Sequence, residues 1–230
     1  MRVSHALRQL FLIAVLSSIV VSQTGCQTVS DAASSAYRSA YYATVGTFGV
    51  HKRDILKKKV TQARDEQKET GEEFKDALTK LREIYSYDGG ELGKQYKELN
   101  SKYESAAETA ATVKDRIESV ETVANDLFKE WESELEEIKT MSLKVKSKKL
   151  LVDTRGRYQT MVSSLKKAET SMGPVLQKFK EHVTFLKHNL NAAAIASLKG
   201  EALNIQGEIG KLIDDMNASI KSADDFIKTL

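Results

Sequence analysis

The sequence predicts an all-α protein, an elongated antiparallel bundle of about four long helices packed along coiled-coil seams. Three observations carry this expectation. Charged residues make up 29% of the 230-residue chain, aromatics only 7%, and there is a single proline, Pro174. A chain rich in Ala, Glu, Lys, Leu and Ser with so few breakers reads as long helices. Apolar residues recur in alternating steps of four and three from about residue 51 onward, the spacing of a coiled-coil seam. Turn chemistry interrupts the rhythm near residues 88–90, 140–143 and 188–191 and cuts the chain into segments of matched length.

The first 25 residues stand apart from that pattern. Arg2 and Arg8 precede an apolar run of 12 residues, Leu10 to Val21, and Gln23-Thr24-Gly25-Cys26 follows. A basic start, a short apolar core and small residues at the exit describe an export signal. The run is shorter than the roughly 20 residues of a membrane span. Cys26 is the only cysteine, and its placement resembles the leader of a bacterial lipoprotein. That resemblance implies cleavage before Cys26, diacylglycerol on its thiol and acylation of the new amine. Gln23 departs from the pattern, which carries Leu or another apolar residue there. Ordinary secretion and an uncleaved anchor are the alternatives. Gln27 stands where Asp retains lipoproteins at the inner membrane in enteric-type bacteria. The expected location is therefore the outer membrane, facing the periplasm, with the inner membrane second.

Residues 26–50 read as a tether and a short amphipathic segment. Tyr37, Tyr41, Val45 and Phe48 recur at helical spacing, while Gly46 and Gly49 weaken a helix there. Residues 51–230 read as one helical-bundle domain. Its first helix runs from His51 to about Tyr87 on a seam of Leu56, Val60, Ala63, Gln67, Thr70, Phe74, Ala77, Leu81 and Ile84. The polar pair Gln67 and Thr70 points to control of register. Asp88-Gly89-Gly90 ends it.

The second helix keeps the rhythm from Leu92 through Tyr96, Leu99, Tyr103, Ala106, Ala110, Val113, Ile117, Val120, Ala124, Leu127 and Trp131, shifts locally at Leu135 and Ile138, and ends near Thr140. Ala106 and Ala110 permit close approach of a partner helix. Ser142 is a candidate cap for the third helix, expected over about 143–190. Its seam runs from Leu151 through Tyr158, Met161, Leu165, Phe179 and His182 or Val183 to Leu190. Gly173-Pro174 predicts a kink inside it. Asn191 is positioned to cap a fourth helix whose seam includes Leu198, Ala202, Ile205, Ile209, Leu212, Met216, Ala223 and Ile227. Helices of roughly 50 residues are about 75 Å long. Joined by short turns, the four fit an up-down-up-down bundle, with the 88–90 and 188–191 turns at one tip and the 140–143 turn at the other. The same pattern also closes in a homodimer.

Four segments carry a further resemblance: Phe48-Gly49-Val50-His51-Lys52-Arg53-Asp54-Ile55-Leu56, Asp88-Gly89-Gly90, Leu127-Phe128-Lys129-Glu130-Trp131-Glu132, and Phe185-Leu186-Lys187-His188-Asn189-Leu190-Asn191-Ala192. In these the chain resembles a bacterial family of exported helical proteins with a domain of unknown function. The resemblance implies a coiled-coil, lipoprotein-like architecture. It supplies no activity and no catalytic residues.

Chemistry is sparse in the rest of the pattern. Gly207-Glu208-Ile209-Gly210-Lys211-Leu212 lacks the spacing and hydroxyl of a phosphate loop. His182 and His188 are six apart, which does not make a zinc pair on one helix face. Glu72-Glu73, Glu134, Glu136-Glu137, Asp214-Asp215 and Asp224-Asp225 read as solvated faces, and Trp131 reads as core. No catalytic residue, metal site or cofactor is expected. Without residues 1–25, which hold Arg2 and Arg8 and no acid, the formal charge falls from +3 to +1. That balance argues against a nucleic-acid partner. Two basic clusters remain: Lys52, Arg53, Lys57, Lys58 and Lys59, and Lys144, Lys146, Lys148 and Lys149. They read either as solvated helix faces or as contacts to anionic headgroups. The expected protein is a non-enzymatic, membrane-tethered structural or interaction protein. An adaptor for an envelope protein partner through the distal turns, or a lipid-binding module, is the alternative.

Overall fold

Among the described residues the apolar seams form helices. The computed structural model describes residues 36, 38, 40, 42, 52–86 and 91–230. Cys26 and the Asp88-Gly89-Gly90 turn lie outside the described residues, as do Tyr37, Tyr41, Val45 and Phe48. The chain divides into two compact units, Met1–Val50 and His51–Leu230. In the second unit the helices are α1 (Lys52–Tyr85), α2 (Leu92–Glu137), α3 (Met141–His188) and α4 (Ala192–Thr229). The described residues are helical apart from short connections.

Each helix packs on the next in sequence, and α4 returns to pack on α1. The cross-helix pairs descend along one helix as they ascend along its neighbour. Between α1 and α2 they run Lys52–Glu130, Glu66–Arg116, Asp76–Lys102 and Lys80–Glu98. Between α2 and α3 they run Glu121–Lys166, Glu132–Arg155 and Glu136–Lys144. Arg64 with Asp224 and Gln67 with Ser219 continue the order between α1 and α4. Across the diagonal, Phe74 lies 6.5 Å from Phe179 between ring centroids, and Tyr85 touches His182. The α1 and α3 C-termini therefore share one end, and the α1 N-terminus shares the other with the α2–α3 connection.

The core fills as the seams predict. All nine positions read along α1 are buried, Gln67 and Thr70 included. Phe74, Phe179, Leu56, Leu165, Ile205 and Leu212 are wholly enclosed. Each such side chain contributes about 1.5–3 kcal/mol on leaving water. Every described hydrophobic core residue falls between Ile55 and Phe226, within this unit. Ala106 and Ala110 are buried where α2 meets α1, the most extensively packed pair.

The local punctuation differs in four places. Thr140, not Ser142, is the N-cap of α3, and its side chain makes no capping bond. α2 stops at Glu137, because Ile138 and Thr140 both take extended backbone angles. Leu190 lies in the α3–α4 connection and is exposed, so the α3 seam closes at Leu186. On α4, Phe226 takes the buried position and Ile227 is only half-buried. Asn191 does cap α4: its side-chain oxygen accepts the Ala194 N–H at 2.9 Å. α3 is continuous through Gly173 and Pro174.

The four helices do not end together. Lys52, the first residue of α1, meets Glu130. Tyr158 stands against Phe226 with ring centroids 6.2 Å apart, which sets the end of α4 level with the turn at Thr154 and Arg155. Beyond those levels only α2 and α3 continue among the described residues. The last seven residues of α2 project about 10 Å past Glu130 at 1.5 Å per residue.

Candidate functional site

Among the described residues two regions depart most from the inside–outside pattern. The first is a polar layer at mid-bundle. Gln67 on α1 is wholly buried and ties three helices together. Its Nε2 donates to the Leu165 carbonyl of α3 at 3.1 Å, and its Oε1 accepts from the Ser219 hydroxyl of α4. Thr70 donates to the Glu66 carbonyl at 2.8 Å, so its hydroxyl stays within α1. A buried amide left unpaired is costly, whereas this one is satisfied at both ends. The layer fixes register.

The second region is the projecting α2–α3 hairpin with the α1 start beside it, and it gathers both basic clusters. Lys52 is used internally, in an ion pair with Glu130 at 3.0 Å. The Arg53 guanidinium stands 5.5 Å from the centre of the Trp131 ring. Lys57 and Lys58 are exposed and Lys59 is half-buried. In the other cluster Lys144 pairs with Glu136 at 2.8 Å. That bond holds the Glu136 carboxyl below the usual range, with the charges of Lys139 and Lys148 adding to it. Lys146, Lys148 and Lys149 are exposed. Trp131 is not a core residue: it is half-buried under Arg53 and donates its indole N–H to the Ser147 hydroxyl at 2.9 Å.

Among the lysines of this hairpin stand side chains that the seam pattern passed over. Met141, Leu143, Val145, Leu150 and Val152 are 55–71% exposed. Among the described residues, five of the eight large exposed hydrophobics lie in these 12 residues, so the exposure is concentrated and not scattered. A signal for them exists in the sequence. Met141-Ser142-Leu143-Lys144-Val145-Lys146 alternates with period two, the rhythm of a strand. On a helix that alternation cannot place all its apolar residues on one face.

Elsewhere the titratable groups are structural. His182 is buried, with Nδ1 2.5 Å from the Tyr85 hydroxyl. Burial pushes the imidazole pKa down, against the opposing charges of Glu201 and Glu181. Burial likewise pushes the Tyr158 hydroxyl up to about 12. His188 is exposed. Members of the acidic pairs join cross-helix ion pairs: Asp215 accepts from Lys167 at 2.7 Å and from Ser171 at 3.1 Å, and Asp224 holds Arg64 at 2.6 Å. Among the described residues no three of His, Cys, Asp and Glu converge as metal ligands, and no helix is long and apolar enough to cross a membrane. A groove of about 260 Å³ between α2 and α3 is lined by Lys114, Ile117, Glu118, Glu121, Lys166 and Thr170. The Lys166–Glu121 ion pair spans it.

Comparison with known proteins adds one finding. A family model described as protein of unknown function (DUF2959) matches residues 41–230. No curated protein and no solved structure matches the chain.

Proposed function

This chain belongs to the DUF2959 family, and on that footing we propose that it is a non-enzymatic lipoprotein of the bacterial envelope, tethered to the outer membrane through Cys26 and acting in the periplasm as a scaffold. The fold belonging to this reading is an elongated antiparallel four-helix bundle with coiled-coil seams. One observation carries the geometric part: the opposed order of the cross-helix pairs, with the α1 N-terminus and the α2–α3 hairpin at the same end. A tether attached ahead of α1 then holds that end toward the bilayer and presents the α3–α4 turn to the periplasm. The leader supports the anchor, since acylation consumes a thiol that an oxidising compartment would otherwise expose.

Mass spectrometry of the protein from cells tests the anchor. The mature chain should begin at Cys26 and carry diacylglycerol and an N-acyl group. An unmodified Cys26, or a mature N-terminus elsewhere, excludes it. Small-angle scattering of His51–Leu230 should give a longest dimension of about 70 Å, the length of α3 at 1.5 Å per residue. Light scattering on residues 27–230 separates a monomer from a homodimer.

An adaptor role is the second reading, favoured by Phe185, Leu190 and Leu203, exposed by 37%, 39% and 73% on either side of the α3–α4 turn. In-cell cross-linking followed by partner identification should then yield an envelope protein whose capture needs residues 186–192. Capture unchanged without them removes this reading.

A further inference from the structure

We propose that the projecting tip of the α2–α3 hairpin, residues 138–152, docks on an anionic phospholipid bilayer, its exposed apolar side chains entering the headgroup boundary and its lysines meeting lipid phosphates. These apolar side chains are exposed past the end of α4, and Met141, Leu143 and Val145 lie beyond the start of α1 as well, which stands level with Ser147. At 100° per residue they form two stripes. Met141, Val145 and Val152 make one, Leu143 and Leu150 the other, with Lys146 and Lys149 between. From Ile138 to Val152 there are five lysines and no acid. Lys144 is bonded to Glu136, whereas Lys146, Lys148 and Lys149 are exposed. Lysine stems lie along apolar surface while their charges reach outward, which suits a side chain at a lipid interface.

The charge placement also runs against local helix preference. The last turn of α2 holds Glu134, Glu136 and Glu137 and no basic residue, at the negative end of its dipole. α3 opens with no acid in its first turn and with Lys144 close behind, at the positive end of its own. Such conflicts are expected where something other than folding sets the residues. Glu136 is bonded to Lys144 and Glu132 to Arg155, which leaves the acidic limb partly neutralised and the α3 limb basic. A lipid surface fits better than a second copy, since pairing two α3 tips would set lysine against lysine. The proposal takes from the tethered reading only which end faces the membrane. Its test does not depend on the anchor.

Residues 51–230 form one compact unit that holds every described core residue and lacks Cys26, so this fragment is the test material. It should float with vesicles of phosphatidylglycerol and phosphatidylethanolamine, and much less with phosphatidylcholine alone. Each lysine near such a surface contributes about fivefold in binding. Lys146→Gln, Lys148→Gln and Lys149→Gln together should therefore weaken it on the order of a hundredfold. Met141→Ser, Leu143→Ser and Val145→Ser should weaken it about tenfold or more, with the helical circular dichroism unchanged. A dye on Ser142→Cys, the single thiol of that fragment, should shift to the blue on anionic vesicles.

Binding that survives the serine variant, or a dye that stays in water, overturns the proposal. So does loss of binding when residues 27–50 are restored, which would make the chain's own segment the occupant. A concentration-dependent dimer abolished by the serine variant, with no vesicle binding, overturns it in favour of a second copy. If Cys26 proves unmodified in cells while the fragment binds as described, the anchor fails and the docking tip stands.

Discussion

At mid-bundle three polar side chains, Gln67, Thr70 and Ser219, are wholly enclosed, while at the hairpin five large apolar ones stand in solvent. The two regions invert the inside–outside rule in opposite senses, and their surroundings differ accordingly. Around Gln67 every amide group finds a partner on another helix, so the exception narrows the ways the helices can align. Around Met141 and Leu143 the Thr140 cap of α3 makes no side-chain bond, and the terminal charges oppose the dipoles. A satisfied polar group in the core specifies a fold. An unsatisfied apolar surface asks for something outside it.

The contrast is sharpest for one substitution made twice on α3. Leu165→Ala, in the layer beneath Gln67, should cost about 2–5 kcal/mol in urea unfolding of residues 51–230. Leu150→Ala should change stability by less than about 0.5 kcal/mol. A comparable loss at both sites would mean that the hairpin is covered in solution. Next in size is Gln67→Ala, which removes the amide bonds to Leu165 and Ser219 and should cost about 1–3 kcal/mol, the Ser219 hydroxyl keeping the Met216 carbonyl at 2.9 Å. Replacing both partners, Gln67→Leu with Ser219→Ala, should recover most of that. If the double variant is no more stable than Gln67→Ala, the amide is not what holds the layer.

Smaller effects separate the two ends. Asn191→Ala removes a real cap bond and should cost about 1 kcal/mol. Thr140→Ala, at a cap whose side chain makes no bond, should cost well under half as much. Equal losses would show that Thr140 caps after all. The pH response should be the gentlest. His182 has a folded pKa below its unfolded value of 6.5, so the unfolded chain binds the extra proton. Its contribution is whole above pH 6.5 and declines as pH falls toward the folded pKa. Unfolding free energies between pH 7.5 and 5 should slope downward with acid, and His182→Gln should flatten that slope. An unchanged slope in the variant assigns it to other groups.

Much of the bundle was legible because its helices keep a seam. The nine α1 positions, the α3 run from Leu151 to Leu186 and the Asn191 cap follow from spacing and cap chemistry. Relative register was not legible, since no local pattern states that Lys52 meets Glu130 or Tyr158 meets Phe226. The overhang comes from that register together with helix lengths of 34, 46, 48 and 38 residues. The lysine clusters could be read as composition, but their apolar companions drop out of a seam reading because they belong to neither side of it. Trp131 departs from the core for a different reason. It keeps the seam spacing, yet the helix that should cover it begins beside it.

That position gives the molecule a built-in optical gauge. Trp131 is the only tryptophan, set between Arg53 of α1 and Ser147 of α3 where, among the described residues, α1 begins beside the α2–α3 hairpin. Its emission samples that boundary, while far-ultraviolet dichroism averages the whole chain. Should the two probes melt at different denaturant concentrations, the bundle unzips from this junction instead of melting as one cooperative block. Coincident curves would mean that the boundary between the paired and projecting sections is as firm as the layer around Gln67.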